Sequence, residues 1–207
     1  MEFLKLILTR GVLAIVVVAG LTGCVTSPPR HVDNICHIFD EKDGWYDDAL
    51  SAQKKWGTPI PILMAFMHQE SRFQPKAKPP RTKLLWVFPG PRVSSAYGFS
   101  QAKDETWDWY KDQAGGWGAD RDDFADAVDF VAWYNSVSHK RNGIGLNDPY
   151  NLYLAYHEGH GGFSRRTYSN KRWLTGVAKK VSSRAATYKR QLAGCQERLE
   201  SNGWWFF

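Results

Sequence analysis

The residues between 61 and 73 combine the apolar face of a helix with a single carboxylate. The members of that face recur at the i, i+3 and i+4 intervals of a helix: Ile62, Leu63, Phe66, Met67 and Glu70. A carboxyl group held against Phe66, Met67 and Phe73 is partly desolvated, and desolvation raises its pKa toward neutrality. Such a group can act as a general acid near neutral pH. The alternative is that Glu70 turns outward to water at the helix end, as most charged residues do.

Two later segments point to the same chemistry. Residues 94–101 read Ser-Ser-Ala-Tyr-Gly-Phe-Ser-Gln, and residues 155–159 read Ala-Tyr-His-Glu-Gly. With the Glu-Ser-Arg-Phe of residues 70–73, they resemble three motifs of the lytic transglycosylases of the lysozyme-like superfamily. Those motifs are, in the same order, Glu-Ser-x-Phe, Ala-x-Gly-Leu-Met-Gln and Ala-Tyr-Asn-x-Gly. The resemblance covers the span 45–195.

The chain departs from the family pattern in its second and third motifs and in the spacing between the first two. Phe99 and Ser100 replace the usual Leu-Met, and His157 stands where Asn is usual. An insertion at 75–93, rich in proline and aromatic residues, separates the first two motifs. Because a loop this long inside a compact domain is usually functional or mobile, we expect a long loop or a small hairpin near the cleft. The segment 84–88 is a candidate for one strand of that hairpin.

The resemblance implies both a fold and an activity. The implied fold is a mainly α, lysozyme-like single domain over residues 45–199. The implied reaction cleaves the β-1,4 bond between N-acetylmuramic acid and N-acetylglucosamine in peptidoglycan glycan strands, and it leaves a 1,6-anhydromuramoyl end. Glu70 is implied to protonate the glycosidic oxygen and then, as a base, to accept the proton of the attacking C6 hydroxyl. This scheme requires no metal and no other cofactor.

The same motifs supply candidate substrate-binding residues. The resemblance implies that Gln101 binds the sugar N-acetyl group and that Tyr156 hydrogen-bonds to Glu70. A glycine at position 98 allows the backbone to approach the glycan closely, and Ser71 hydrogen-bonds either nearby backbone or sugar. The full set of candidate substrate-binding residues is Ser71, Tyr97, Gly98, Gln101, Tyr156, His157 and Trp86. Trp86, in the insertion, is either a sugar-stacking residue or an apolar anchor of its loop.

Three alternative functions are also compatible with these residues. A muramidase on the same scaffold uses water and leaves reducing ends. A non-catalytic wall-binding lipoprotein is favoured by the altered motif positions. A metallopeptidase is suggested by His157-Glu158-Gly159-His160, which is similar to the His-Glu-x-x-His zinc motif. The two histidines are three residues apart instead of four, and Gly159 interrupts the helix, so we expect no metal site.

Residues 1–23 have the features of a bacterial export signal. Lys5 and Arg10 form a basic region, and the apolar run that follows is too short for a transmembrane helix. The run ends in Leu-Thr-Gly-Cys, which resembles the lipobox of bacterial lipoproteins and implies a lipid on Cys24. Val25 follows instead of Asp, and the same resemblance then implies the outer membrane of a Gram-negative cell, facing the periplasm.

The remaining cysteines and the net charge fit an exported protein. With Cys24 attached to lipid, Cys36 and Cys195 are an even pair in an oxidising compartment, which predicts a disulfide. The alternative is two separately buried thiols.

The formal net charge of +6 suits anionic wall polymers and lipid headgroups, and the export signal argues against nucleic acid as a partner. Residues 24–44 are then a lipidated spacer, and the aromatic tail 200–207 either folds back or enters the bilayer interface.

Turn and capping residues divide the rest of the chain into helices. Thr58 as N-cap, with proline in the first turn, predicts the start of the helix that carries Glu70. Further helices are predicted at 47–56, 101–113, 122–141, 149–159 and 170–199. Strand signals are scarce, so the chain is predicted to be mainly α.

Overall fold

The computed structural model describes residues 27–84 and 88–202. Within them the chain forms eight α-helices and a two-stranded hairpin, which confirms a mainly α, lysozyme-like domain. The elements are, in order, α1 Ile35–Glu41, α2 Trp45–Trp56, α3 Ile60–Ser71, β1 Arg81–Leu84, β2 Phe88–Arg92, α4 Asp104–Tyr110, α5 Phe124–Asn142, α6 Pro149–Ser164, α7 Arg172–Leu192 and α8 Gln196–Asn202. The predicted signal peptide, Cys24, Trp86 and the residues 203–207 lie outside the described part of the chain. No described helix is both long enough and apolar enough to cross a membrane.

Helix α3 lies at the centre of the fold. All of its residues from Ile60 to Met67 are buried, and it packs against α7, α5 and α2. The helix begins after Pro59 without a side-chain cap, so the prediction of Thr58 as the N-cap is wrong. The first N–H groups of a helix need partners from outside it, and here Gln53 of α2 accepts a hydrogen bond from the Ile60 N–H at 2.8 Å.

One carboxylate in α5 joins three helices. Asp129 accepts hydrogen bonds from Trp56 Nε1 and from the Tyr110 hydroxyl, each at 2.8 Å, at the carboxyl ends of α2 and α4. Lys55 adds an ion pair with Asp129 at 3.1 Å. Hydrogen bonds to an ionised acceptor are stronger than neutral ones, so Asp129 fixes how α2, α4 and α5 are placed relative to one another.

The folded domain begins earlier than the sequence predicts. The predicted spacer, residues 24–44, contains helix α1, which buries Ile35, Ile38 and Phe39. Asn34 caps this helix by accepting hydrogen bonds from two backbone N–H groups. Because α1 packs against α7, it belongs to the domain, and the domain boundary at residue 45 is wrong.

A disulfide joins the two ends of the domain. Cys36 in α1 is bonded to Cys195, 159 residues later, which confirms the predicted pairing. The predicted single helix over 170–199 is wrong, since α7 ends at Leu192 and α8 begins at Gln196. The short turn between them contains Cys195, so the bridge is made where the chain changes direction.

The insertion after the first motif forms an antiparallel hairpin. Leu84 at the end of β1 pairs with Phe88 at the start of β2. The prediction of one strand over 84–88 is therefore wrong, because these two residues belong to opposite strands and pair with each other. Pro89 and Pro91 lie in β2, where proline is tolerated because a two-stranded hairpin consists only of edge strands.

Two other helices differ from prediction in their extent. Helix α4 begins only at Asp104, because Gln101 adopts a left-handed backbone conformation with φ 52°. It continues into a π-helical turn, Lys111–Gly115. Helix α6 does not stop at Gly159. This glycine has φ 74° and kinks the helix, which then continues to Ser164.

Loss of the disulfide is expected to destabilise the domain strongly. The two cysteines are 159 residues apart, and in the chain-entropy model a loop of this size contributes about 5 kcal/mol. We expect the Cys36→Ser/Cys195→Ser double variant to lose about this much free energy of unfolding in urea titrations. Reduced wild-type protein is the matched control and is expected to show the same loss. Equal unfolding midpoints for the oxidised, reduced and variant proteins would contradict this expectation.

Candidate active site

Glu70 lies in the last turn of α3, where that helix leaves the core. The side chain is largely enclosed, and burial raises the pKa of its carboxyl to about 7, although a hydrogen bond from the Tyr153 hydroxyl acts in the opposite direction. At neutral pH such a carboxyl is present in both its protonated and its ionised form. It can therefore both donate and accept a proton.

Two tyrosines of α6 form one wall around Glu70. Tyr153 and Tyr156 each meet the ring of Phe66 edge-on, with ring centres 5.4 Å apart, and Phe66 lies one turn before Glu70 on α3. Burial and the neighbouring Glu70 carboxylate raise the pKa of both tyrosine hydroxyls well above the usual value. Both hydroxyls therefore stay protonated and act as hydrogen-bond donors.

The hydrogen bond to Glu70 comes from Tyr153, whereas the resemblance assigns it to Tyr156. Tyr156 instead donates its hydroxyl to the backbone oxygen of Ser100 at 2.6 Å. Tyr153 is a site residue that the sequence analysis misses. Its signal is its position three residues before Tyr156, which places both tyrosines on one face of α6.

The bond from Tyr156 to Ser100 joins the second motif to the third. Phe99, which replaces the usual Leu, is buried and packs edge-on against Trp45 and Phe124 with ring centres 5.5 and 5.6 Å apart. Ser100 is also fully buried. The two unusual residues of the second motif therefore face the core, and the site-facing contact is made by the backbone of Ser100.

Gly98 and Gln101 hold the second motif in its conformation. Gly98 has φ 76°, and a Cβ at this position would lie 2.0 Å from the backbone oxygen of Arg121. The close approach at Gly98 is thus to the protein's own backbone. Gln101 donates its amide Nε2 to the backbone oxygens of Ala77 and Gly98 at 3.0 and 2.9 Å. Its Oε1 has no hydrogen-bond partner among the described residues, which leaves an acceptor for a substrate N–H.

Ser71 and Tyr97 use their hydroxyls within the protein. Ser71 is buried and donates to the backbone oxygen of Met67 at 3.2 Å, which agrees with the backbone alternative for this residue. Tyr97 donates to Asp122 at 2.9 Å, and the Lys78 ammonium lies 5.0 Å from its ring centre. Both side chains therefore stabilise the segments that carry the motifs.

The two histidines of the segment 157–160 have separate environments. His157 meets the ring of Trp173 edge-on with ring centres 5.1 Å apart. His160 stacks on Tyr134 at 4.4 Å and hydrogen-bonds to Ser138 at 3.1 Å. The described residues contain no group of three or more histidine, cysteine or acidic side chains arranged to hold a metal ion.

The three motifs converge in space around one acid. Glu70 in α3 faces the tyrosines of α6, and Tyr156 of α6 reaches the backbone beside Gln101. A family model described as "Transglycosylase SLT domain" matches residues 12–195, which include all three motifs. No curated protein sequence matches the chain. The chain belongs to the transglycosylase SLT domain family.

Proposed function

We propose that this protein is a peptidoglycan lytic transglycosylase that uses Glu70 as its only catalytic carboxyl. Membership of the family supports lytic transglycosylase activity on peptidoglycan in general terms. The observation that carries the specific assignment is the enclosed Glu70 carboxyl, whose pKa burial raises to about 7. The bond cleaved is the β-1,4 link between N-acetylmuramic acid and N-acetylglucosamine, and the product carries a 1,6-anhydromuramoyl end.

In the first half of the reaction, protonated Glu70 gives its proton to the glycosidic oxygen. The bond between that oxygen and C1 of the muramoyl ring breaks, and the N-acetylglucosamine leaves with a new hydroxyl group. The muramoyl N-acetyl group stabilises the positive charge that develops at C1. Tyr153, as the hydrogen-bond donor to Glu70, orients the carboxyl and stabilises the carboxylate that remains.

In the second half of the reaction, the Glu70 carboxylate acts as a base. It accepts the proton of the muramoyl C6 hydroxyl while the C6 oxygen forms a bond to C1. The product is the 1,6-anhydro ring, and Glu70 returns to its protonated state. Atoms and charges balance without water, and one carboxyl therefore performs both proton transfers.

The electrostatic surroundings of Glu70 favour this route over hydrolysis. Glycosidases generally use two carboxyl groups that flank the scissile bond. The causes of the Glu70 pKa shift are burial and the Tyr153 hydroxyl, and neither is a second carboxyl group. A mechanism with one carboxyl group, in which the N-acetyl group of the substrate stabilises the positive charge, fits this arrangement better than a mechanism that needs two carboxyl groups.

Replacing the Glu70 carboxyl by an amide is expected to abolish cleavage. The Glu70→Gln variant keeps the shape of the side chain but cannot transfer a proton, so we expect at least a hundredfold loss of activity on purified sacculi. Mass spectrometry of the released muropeptides measures the loss and identifies anhydro ends. Glu105→Gln, the same change at an exposed position of α4, is the control and is expected to keep full activity. Reducing ends from the wild-type protein would favour the muramidase alternative.

The pH dependence of stability provides an independent test of the Glu70 environment. The pKa of the Glu70 carboxyl is raised from 4.5 to about 7 on folding, because burial disfavours the ionised form. The contribution of its protonation to the free energy of unfolding is therefore fully present below pH 4.5, and it is lost as the pH rises through 7. We expect Glu70→Gln to melt several degrees above wild type at pH 8 and close to wild type at pH 4. Wild-type activity is expected to fall above pH 7, because the acid is then ionised. Identical melting temperatures at pH 8 would refute the buried-acid assignment.

We also propose that the protein is a lipoprotein of the outer membrane, facing the periplasm. The proposal rests on the lipobox at Cys24, and the disulfide between Cys36 and Cys195 supports an oxidising compartment. Cells fed a labelled fatty acid are expected to label wild-type protein and not the Cys24→Ser variant. Membrane fractionation is expected to place the labelled protein in the outer membrane, and recovery in the inner membrane would refute that location.

A further inference from the structure

Trp173 is a large apolar side chain that remains in contact with water. It is the second residue of α7, and 59% of its surface is exposed. At this exposure the indole ring loses much of the hydrophobic stabilisation that burial gives. Single exposed apolar residues are common on protein surfaces, so the surroundings of Trp173 decide whether it has a function.

A series of aromatic residues on α6 and α7 leads from the acid to Trp173. Tyr153, which donates to Glu70, and His157 are four residues apart on α6 and are therefore neighbours on one helix face. His157 in turn meets Trp173 edge-on at 5.1 Å. Exposure increases along this series, from 4% at Tyr153 to 59% at Trp173. The series therefore leads from Glu70 outward to the rim of the site.

The position of Trp173 is fixed by a nearby ion pair. The Glu158 side chain is only 3% exposed and bonds the Lys171 ammonium at 2.8 Å. Burial alone would raise the pKa of Glu158, but hydrogen bonds from Lys171, Thr167 and His157 outweigh burial and lower the pKa to about 2. The Glu158 carboxyl is therefore ionised across the physiological pH range. Lys171 is the N-cap residue of α7, so this pair holds the start of α7 against α6 and keeps Trp173 beside His157.

We propose that Trp173 and His157 form a sugar-binding subsite at the rim of the Glu70 site. One face of an N-acetylated pyranose ring carries C–H groups and is apolar, whereas its hydroxyl groups lie around the edge. A flat, exposed indole matches that face, and the adjoining imidazole can hydrogen-bond the hydroxyls. This inference rests on the proposed function, because it assigns the rim to the same glycan strand.

Trp117 is a useful comparison, because it is also an exposed tryptophan. It is 97% exposed and has no aromatic partner among the described residues. Trp117 follows the π-helical turn after α4, whereas Trp173 is joined through His157 to the residue that contacts Glu70. Both are therefore exposed tryptophans, but only Trp173 is linked to the site.

Binding of the N-acetylglucosamine hexamer to Glu70→Gln protein tests the proposal. The probe stays intact because the general acid is absent, and calorimetry gives its dissociation constant. We expect Trp173→Ala in this background to weaken binding about tenfold and Trp173→Phe to retain most of the affinity. Trp117→Ala is the matched control and is expected to bind like the parent. Melting temperatures check that each variant is folded. We expect folded variants, because both tryptophan side chains are exposed and contribute little to the core.

Three results would overturn the subsite. They are no binding of the hexamer by the parent, equal affinity of Trp173→Ala and the parent, or equal weakening by Trp117→Ala. With Glu70 intact, Trp173→Ala is expected to raise KM for sacculi more than it lowers kcat. Failure of the proposed function would give a different result. In that case the wild-type protein would release no anhydro ends, but Trp173→Ala would still weaken binding of the hexamer. The protein would then bind glycan without having lyase activity.

Discussion

The enclosure of one carboxyl group at the end of a buried helix is the constraint on which the rest of this structure depends. The group must be kept from water to hold its proton, yet a polymer must be able to reach it. Glu70 meets both conditions because it follows the buried part of α3 by one turn. Its place at the carboxyl end of the helix, where the backbone dipole disfavours negative charge, acts in the same direction as burial. The tyrosines of α6 then complete the enclosure with side chains whose hydroxyls remain donors.

Several residues of the family motifs act on the protein itself. Tyr156 holds the backbone of Ser100, and Gly98 allows the chain to pass against Arg121. Gln101 uses both of its amide hydrogens to fix the same loop. These contacts stabilise the loop of the second motif against α6. The second motif therefore helps to fix the position of α6, which carries the tyrosines beside Glu70. In the proposed subsite, the contact surface for a sugar is supplied in part by Trp173, which lies outside the motifs.

Local patterns in the sequence were sufficient to predict the features that depend on local structure. The helix that carries Glu70 and the pairing of Cys36 with Cys195 follow from helical spacing and from counting cysteines, although α3 is buried on all sides and not on one face alone. Features that depend on how helices are placed against each other could not be predicted in the same way. The choice between Tyr153 and Tyr156 as the partner of Glu70 depends on how α6 is rotated, since both lie on one face.

The start of α3 and the boundary of the domain were missed for the same reason. Gln53 takes the capping role expected of Thr58 because the carboxyl end of α2 packs beside the first turn of α3. Helix α1 is too short for a clear period, and packing against α7 stabilises it. The Cys36–Cys195 bond gives this arrangement a mechanical property. Tension between the chain ahead of Cys36 and the chain after Cys195 passes through this bond, so it does not extend the chain in between, which includes α3 and α6.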